Sequence, residues 1–238
     1  MKKTIALILA RGGSKGIPHK NIKKFCGLPL IAWSILQAKN TKGITDVWLS
    51  SDDDKILNIA KKFGANIISR PKKLSTSTSS SDDGYIHAIS FIEKNFYSPD
   101  IIVALQATSP IRESKDLELA LKKFKAKNYD SMFSACLAED LLLWKQSKNK
   151  FKSVNYDFQK RPRRQDFKGY LIENGSFYIF TPNLIKKLKN RLGGKIGTHV
   201  MESWKLFELD EPSDYKFCEL IMKNYILKNN KMKLRGKN

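Results

Sequence analysis

A chain of 238 residues with 41% apolar side chains is long enough for one domain with its own core, or one domain carrying an insertion. It has no run of about eighteen apolar residues, which excludes a membrane-spanning helix, and it starts on a strand-like stretch without a signal-peptide pattern, so a cytoplasmic location is expected. The formal charge of +21 comes from lysines scattered along the chain and dense only from Lys223 to Asn238, which fits solvated faces and a basic tail over 227–238, with neither nucleic acid nor membrane as partner.

Cys26, Cys136 and Cys218 are far apart and have no Cys or His at metal-binding spacing, so free thiols packed as small apolar groups are expected. Thr4 to Leu9 is a continuous apolar run and predicts a buried strand. A loop follows, holding Gly12, Gly13 and Gly16, the cations Arg11, Lys15 and Lys20, and Ser14 and Asn21. Glycines permit positive φ and close backbone approach, and exposed amides with cationic heads suit a polyanion such as a triphosphate. Neither the G-x-x-x-x-G-K-[ST] nor the G-x-G-x-x-G spacing is present.

Phe25 to Pro29 reads as a turn, with Pro29 at the first position of a helix that places Ile31, Ile35 and Ala38 on one face and closes at Gly43. Asp46 to Ser50 predicts a second strand. Asp52 is the expected cap of a helix bearing Ile56, Ile59, Ala60 and Phe63, stopped by Gly64, and Ala65 to Ser69 is a third strand. This alternation predicts an α/β fold with a mainly parallel sheet, in which ligands bind beyond the carboxyl ends of the strands.

Arg70-Pro71 leads into the hydroxyl-rich run Ser75 to Asp83, where Ser80 or Ser81 serves either as a helix cap or as a ligand contact. Tyr85, Ala88, Ile89 and Ile92 form the stripe of the next helix, with His87 beside it. Asp100 to Leu105 is a central strand running into Gln106-Ala107-Thr108-Ser109-Pro110-Ile111-Arg112. Ser114 is the expected cap of a helix with Leu117, Ala120, Leu121 and Phe124 inward, and Ser131 to Cys136 is another strand.

Leu137 to Asn174 breaks the alternation and carries Leu141-Leu142-Leu143-Trp144-Lys145 and Arg161-Pro162-Arg163-Arg164-Gln165, an apolar and cationic insertion suited to covering a partner. Asn174-Gly175 is expected to turn into an aromatic strand, Thr181-Pro182 to open a short helix ended by Gly193-Gly194, and Thr198 to Leu209 to give one or two strands. Glu208 and Asp210, two apart at a strand end, can face one side and hold a hard cation, before a last helix with Phe217, Leu220 and Ile221.

Ile8 to Asn21 resembles the opening signature of the CMP-sialic acid synthetases (acylneuraminate cytidylyltransferases). Arg70-Pro71 with Leu74, Thr78, Ser80 and Ser81, and Gln106 to Arg112 with Ala107 in place of a proline, are similar to further segments of that family. The resemblance implies a three-layer Rossmann-like α/β fold of the nucleotide-diphospho-sugar transferase type, with residues 137–175 as an inserted arm that makes a homodimer and helps close the neighbour's sugar pocket. It implies CMP transfer from CTP to a sugar acid, with Arg11, Lys15, Lys20 and Asp210 in the catalytic set. The nucleotide contacts implied are Ala10, Arg11, Gly12, Gly13, Ser14, Asn21, Arg70, Ser80 and Ser81. The sugar contacts implied are Gln106, Thr108, Ser109 and Asn174. In the family Asp-x-Asp carries the metal; here that segment has Glu208 and Asp210, and Mg²⁺ (or Mn²⁺) is the expected cofactor. The sialic-acid enzymes have Arg-Pro-Asn-Gly in the arm, with the arginine on the sugar carboxylate, whereas Glu173 precedes Asn174 here. Lys145, Arg163 or Arg164 could take that role, and the acceptor could equally be a legionaminic- or pseudaminic-like acid or a deaminated sialic acid. Asp214 fits as a helix cap. Another nucleotide or sugar acid, and a basic nucleic-acid-binding protein, are the alternative readings.

Overall fold

Alternation along the first strand sets the layers. The computed structural model describes residues 3–14, 16–167 and 169–228. Strand β1 (Thr4–Leu9) sends Ile5 and Leu7 to one face and Ala6 and Ile8 to the other, all four fully buried. Both faces must therefore be covered, which is the requirement of a parallel sheet with helices on each side.

In chain order the elements are β2 (Lys24–Phe25), β3 (Leu28–Pro29), α1 (Leu30–Lys39), β4 (Asp46–Ser51), α2 (Asp54–Lys62), β5 (Asn66–Ser69), α3 (Ser81–Asn95), β6 (Ile101–Gln106), α4 (Ser114–Ala126), β7 (Ser131–Ala138), β8 (Trp144–Ser147), β9 (Lys150–Ser153), β10 (Tyr170–Phe180), α5 (Pro182–Leu188), β11 (Ile196–Met201) and α6 (Pro212–Ile221). The seven-stranded sheet runs β11-β7-β10-β6-β1-β4-β5. β4 and β6 flank β1 in parallel, β5 is parallel to β4 and β11 to β7, while β10 is antiparallel to both neighbours. Helices α1, α2 and α4 cover one face through Ile35, Leu57 and Phe124, and α3 and α5 cover the other through Ile89 and Ile185. This is the three-layer α/β arrangement expected. A third cluster joins Ile17 of the opening loop to Trp33, Leu209 and Tyr215, so the C-terminal segment folds back onto the first loop. Among the described residues no helix is long and apolar enough to cross a membrane.

Several local expectations are corrected. Pro29 is the N-cap of α1 rather than its first helical residue. Asp53, not Asp52, caps α2, accepting from the amides of Lys55 and Ile56; Asp52 instead accepts from the Gly12 amide at 3.1 Å. Glu113 and Asp116 form a capping box on α4, whereas the Ser114 hydroxyl donates to the Gln37 carbonyl. Asn174-Gly175 is not a turn: β10 runs through it, with Gly175 at φ +61° inside a register shift between Glu173 and Tyr178. Lys189 in the left-handed region, not Gly193-Gly194, ends α5. β11 stops at Met201, a 3₁₀ turn spans Ser203–Leu206, and Glu208 and Asp210 lie in the connection to α6 rather than at a strand end. The last helix buries Tyr215, Cys218 and Ile221, while Phe217 and Leu220 face outward. All three cysteines are free, Cys136 and Cys218 buried and Cys26 half-buried, as expected. Most of the 227–238 tail lies outside the described residues.

Candidate functional site

The carboxyl ends of β1 and β6 open into one cleft of about 440 Å³, bordered by Arg11, Ser14, Lys20, Arg70, Gln106 and Asp210 among others. The β1 loop is braced from several sides. The Asn21 carboxamide donates to the Arg11 carbonyl at 2.9 Å, Asp52 takes the Gly12 amide, and the Ser14 amide donates to the Gly12 carbonyl at 3.1 Å. Neither Gly12 nor Gly13 adopts positive φ; His19 takes the left-handed turn, at φ 52°. Close approach is what requires glycine here. A Cβ on Gly12 would sit 2.7 Å from Asp53 Oδ2, and one on Gly16 would overlap the Asp210 carbonyl oxygen.

The hydroxyl-rich run forms the opposite lip. Arg11 reaches across and donates to the Thr76 carbonyl at 3.0 Å, and Arg70 Nε donates to Ser75 Oγ at 2.8 Å. Arg70 is only 6% exposed, and burial holds its pKa below the ordinary value, with the Asp52 charge acting in the opposite direction. Ser80 caps α3, accepting from the Asp82 amide at 3.1 Å, and also borders the cleft. Lys20 Nζ donates to the Leu209 carbonyl at 2.6 Å and to Asp210 Oδ1 at 3.2 Å, joining the opening loop to the C-terminal connection. Three cations around a cleft with Ser and Thr hydroxyls have the chemistry that suits a polyphosphate.

Behind Gln106 and Thr108 the turn is held by Arg112, which is fully buried. Its guanidinium donates to the carbonyls of Gln106, Ser109 and Ser176 and to the Ser34 hydroxyl, and burial pulls its pKa down to about 9. The amide of Leu209 donates to the Thr108 carbonyl at 2.8 Å, so the strand-end turn and the Asp210 segment are hydrogen-bonded side by side.

The structure thus brings Arg11, Ser14, Lys20, Asn21, Arg70, Ser80, Ser81, Gln106, Thr108 and Asp210 to one cleft. Lys15 falls outside the described residues. Ala10 and Ser109 are buried behind the cleft wall, and Gly12 and Gly13 do not line the cleft, the Gly12 amide being taken by Asp52. Asn174 is 1% exposed and its carboxamide donates to the Lys205 carbonyl at 3.0 Å, so it braces the interior instead of facing a sugar. Lys145 and Arg164 stand on the arm, away from this chain's own cleft; Arg164 lies near Glu139 and Asp140. Thr76, Ser79 and Tyr85 also line the cleft. Sequence reasoning took Tyr85 only as part of a core stripe, because helical periodicity does not reveal which end of the stripe meets a cavity.

Among the described residues no three acidic, His or Cys side chains group as a ready-made metal site. Asp210 alone of the two carboxylates lines the cleft, while Glu208 lies behind it against Gly175; one carboxylate there still fits a magnesium ion that takes its other ligands from phosphate and water. The Asp210 side chain is 71% exposed there. Glu208 is half-buried, and burial first, then the Asp210 charge, holds its carboxyl above the ordinary range; a cation between them would relieve that repulsion.

The sequence profile of cytidylyltransferases matches residues 5–233. The chain belongs to the cytidylyltransferase family. The N-acylneuraminate cytidylyltransferase of Oncorhynchus mykiss is 38% identical over 218 residues, which are 90% of this chain and 49% of that protein, so the chain spans about half the length of that relative. The pseudaminic acid cytidylyltransferase of Campylobacter jejuni subsp. jejuni serotype O:23/36 (strain 81-176) is 35% identical over 179 residues, 75% of this chain and 67% of that protein. A solved CMP:2-keto-3-deoxy-manno-octonic acid synthetase complexed with CTP superposes with a TM-score of 0.71 at 18% identity, covering 93% of this chain and 99% of the other, which shows a shared fold. The sheet described above is therefore that of a member of the cytidylyltransferase family.

Proposed function

We propose that the chain transfers CMP from CTP to the anomeric hydroxyl of a sialic-acid-like nonulosonic acid and releases pyrophosphate. The observation that carries this reading is the convergence of Arg11, Arg70 and Lys20 with Ser14, Ser80 and Thr108 on one cleft, in a chain whose family is cytidylyltransferase. Two curated relatives, named for N-acylneuraminate and for pseudaminic acid, support a nonulosonic acid as acceptor.

In this reading the acceptor oxygen bonds to the α-phosphorus, the bond from that phosphorus to the bridging oxygen breaks, and pyrophosphate leaves. The hydroxyl proton ends on pyrophosphate or solvent. The chain's own residues mostly position and neutralise. Arg11 and Lys20 hold the phosphate oxygens, Arg70 adds a desolvated charge at the far lip, and Gln106 and Thr108 orient the acceptor. Asp210, with Glu208 behind it, would hold Mg²⁺, which when bound supplies charge neutralisation at the phosphates.

We further propose a homodimer built on the arm. Between β7 and β10 the chain leaves the sheet, forms the β8–β9 hairpin and exposes Leu143, Trp144, Phe151 and Phe158. Lys145 and Arg164 lie on this arm, so their contact with a sugar would be with the acceptor in the neighbour's cleft.

The test is a pyrophosphate-release screen of CTP, UTP, GTP and ATP against a panel of eight- and nine-carbon sugar acids with Mg²⁺. Release with CTP and a nonulosonic acid supports the reading. Release with UTP or GTP alone refutes it, as does salt-dependent binding to random DNA with no release from any nucleotide.

A further inference from the structure

Lys205 is 2% exposed, and its ammonium is enclosed by three carboxylates: Asp116 Oδ2 at 2.8 Å, Glu202 Oε2 at 2.8 Å and Glu113 Oε2 at 3.1 Å. A buried ammonium is strongly disfavoured unless paired, so this cluster constrains where each of its members can sit. Two of the carboxylates, Glu113 and Asp116, are the capping box of α4, the helix entered from the Gln106–Arg112 turn. The third, Glu202, and Lys205 itself lie at the start of the connection that carries Glu208 and Asp210.

From Lys205 onward the connection is threaded by specific contacts. Its carbonyl accepts from the buried Asn174 carboxamide at 3.0 Å. Glu208 lies against Gly175, where a Cβ would overlap its carboxylate. The Leu209 amide donates to the Thr108 carbonyl, the Leu209 carbonyl accepts from Lys20, and the Asp210 backbone packs on Gly16. Every one of these contacts depends on where the segment begins, and the lysine cluster fixes that point to the same helix start that follows the Gln106–Thr108 wall of the cleft.

We propose that Lys205 is a positioning residue: its buried ion cluster locks the connection 202–210 to the start of α4 and so sets the Asp210 carboxylate against the cleft, with Glu208 behind it. The assignment deepens the reading of the cleft given above and rests on it for its kinetic consequence. Its structural consequence stands apart from that reading.

The test uses Lys205→Met, Lys205→Arg and the double variant Lys205→Met/Asp116→Asn, which removes one of the carboxylates left uncompensated and keeps the protein folded if the single variant is not. Amide hydrogen exchange is read at Leu209 and, as an internal reference, in β1 and β6. CTP binding is measured by calorimetry in EDTA, and kcat and KM with CTP and the acid that the wild-type chain turns over fastest. In the methionine variants Leu209 exchange is expected to speed up about tenfold with β1 and β6 unchanged, kcat to fall about tenfold, and metal-free CTP affinity to stay within about threefold, because Arg11 and Arg70 do not depend on the cluster. Lys205→Arg is expected to restore both exchange protection and kcat. Unchanged Leu209 exchange overturns the proposal, as does an equal loss of protection throughout the sheet or a parallel fall of kcat and CTP affinity. Faster Leu209 exchange in a chain that turns over no nucleotide leaves the positioning intact and defeats only the cytidylyl-transfer reading.

Discussion

Lys20 and Asp210 lie 190 positions apart, yet the ammonium of one meets the carboxylate of the other at 3.2 Å and also holds the neighbouring Leu209 carbonyl at 2.6 Å. The Lys20 side chain is only 12% exposed and Asp210 71% exposed, so the lysine is the fixed member and the carboxylate faces the open cleft. Lys20 therefore keeps the acidic segment at the mouth of the loop, and in the proposed reaction it would also add positive charge for phosphate.

Replacing Lys20 or Arg11 by alanine is expected to reduce kcat/KM on the order of 10²–10³-fold each, the usual loss for a preorganised charge at a reacting phosphate. Asp210→Ala is expected to abolish turnover with little change in melting temperature, because its carboxylate is exposed and its bond to Lys20 lies at the surface. Steady-state kinetics with circular dichroism melts checks both. An unchanged kcat/KM in the two cation variants would reduce the opening loop to a turn.

Gly16→Ala is expected to cost activity more than stability. The added methyl would collide with the Asp210 carbonyl, pushing the acidic connection away from the loop. A displacement of about 1 Å at a reacting centre can cost on the order of 10² in rate. Kinetics alongside thermal melts separates the two effects; native kcat would show that the loop and connection move freely past each other.

Glu208 supplies a pH-dependent prediction. Burial, and secondarily the Asp210 charge, raise its carboxyl pKa above the ordinary 4.5. The folded state therefore holds that proton more tightly than the unfolded chain, and stability is lost as pH rises from 4.5 through the folded value. Glu208→Gln stays neutral, so it is expected to melt higher than the wild type at pH 7 and to match it below pH 4.5. Metal-free melts across pH 4–8 check this; a constant difference across that range would mean that the carboxyl is not strained. If Glu208 backs the metal site, the same variant loses activity as it gains stability.

The arm carries a prediction of assembly. Phe151 is 65% and Phe158 55% exposed, and Phe158 packs against Trp144 at 5.5 Å between ring centres. Light scattering is expected to show a dimer for the wild type and a monomer for Phe151→Ser/Phe158→Ser. A monomeric wild type at micromolar concentration would contradict the dimer.

The sheet was readable because β1, β4 and β6 are short apolar runs alternating with helices, the general pattern of an α/β fold. Most of the cleft was readable because its residues sit in the loops directly after those strands. The errors have local causes. Asp52 and Asp53 are equally good caps by type, and only the position of the Gly12 amide decides that Asp52 faces the loop. Asn174-Gly175 has the chemistry of a hairpin turn, but the left-handed glycine can also absorb one extra residue inside a strand, and pairing of β10 with both neighbours selects the bulge. Phe217 and Leu220 look like core by composition; the cluster around Ile17 and Trp33 instead takes Tyr215, Cys218 and Ile221. Lys205 reads as one solvated lysine among many, since its three carboxylates come from α4 and Glu202, and the α4 pair stands some ninety positions away in sequence.

The most direct test of the account is the identity of the product. Wild-type protein, CTP, Mg²⁺ and N-acylneuraminic or pseudaminic acid are incubated and the product examined by mass spectrometry and phosphorus NMR. The account predicts free pyrophosphate and a single new species with one phosphorus atom, a cytidine monophosphate ester of the sugar acid. A product with two phosphorus atoms, or nucleotide transfer only to a sugar phosphate, would contradict it.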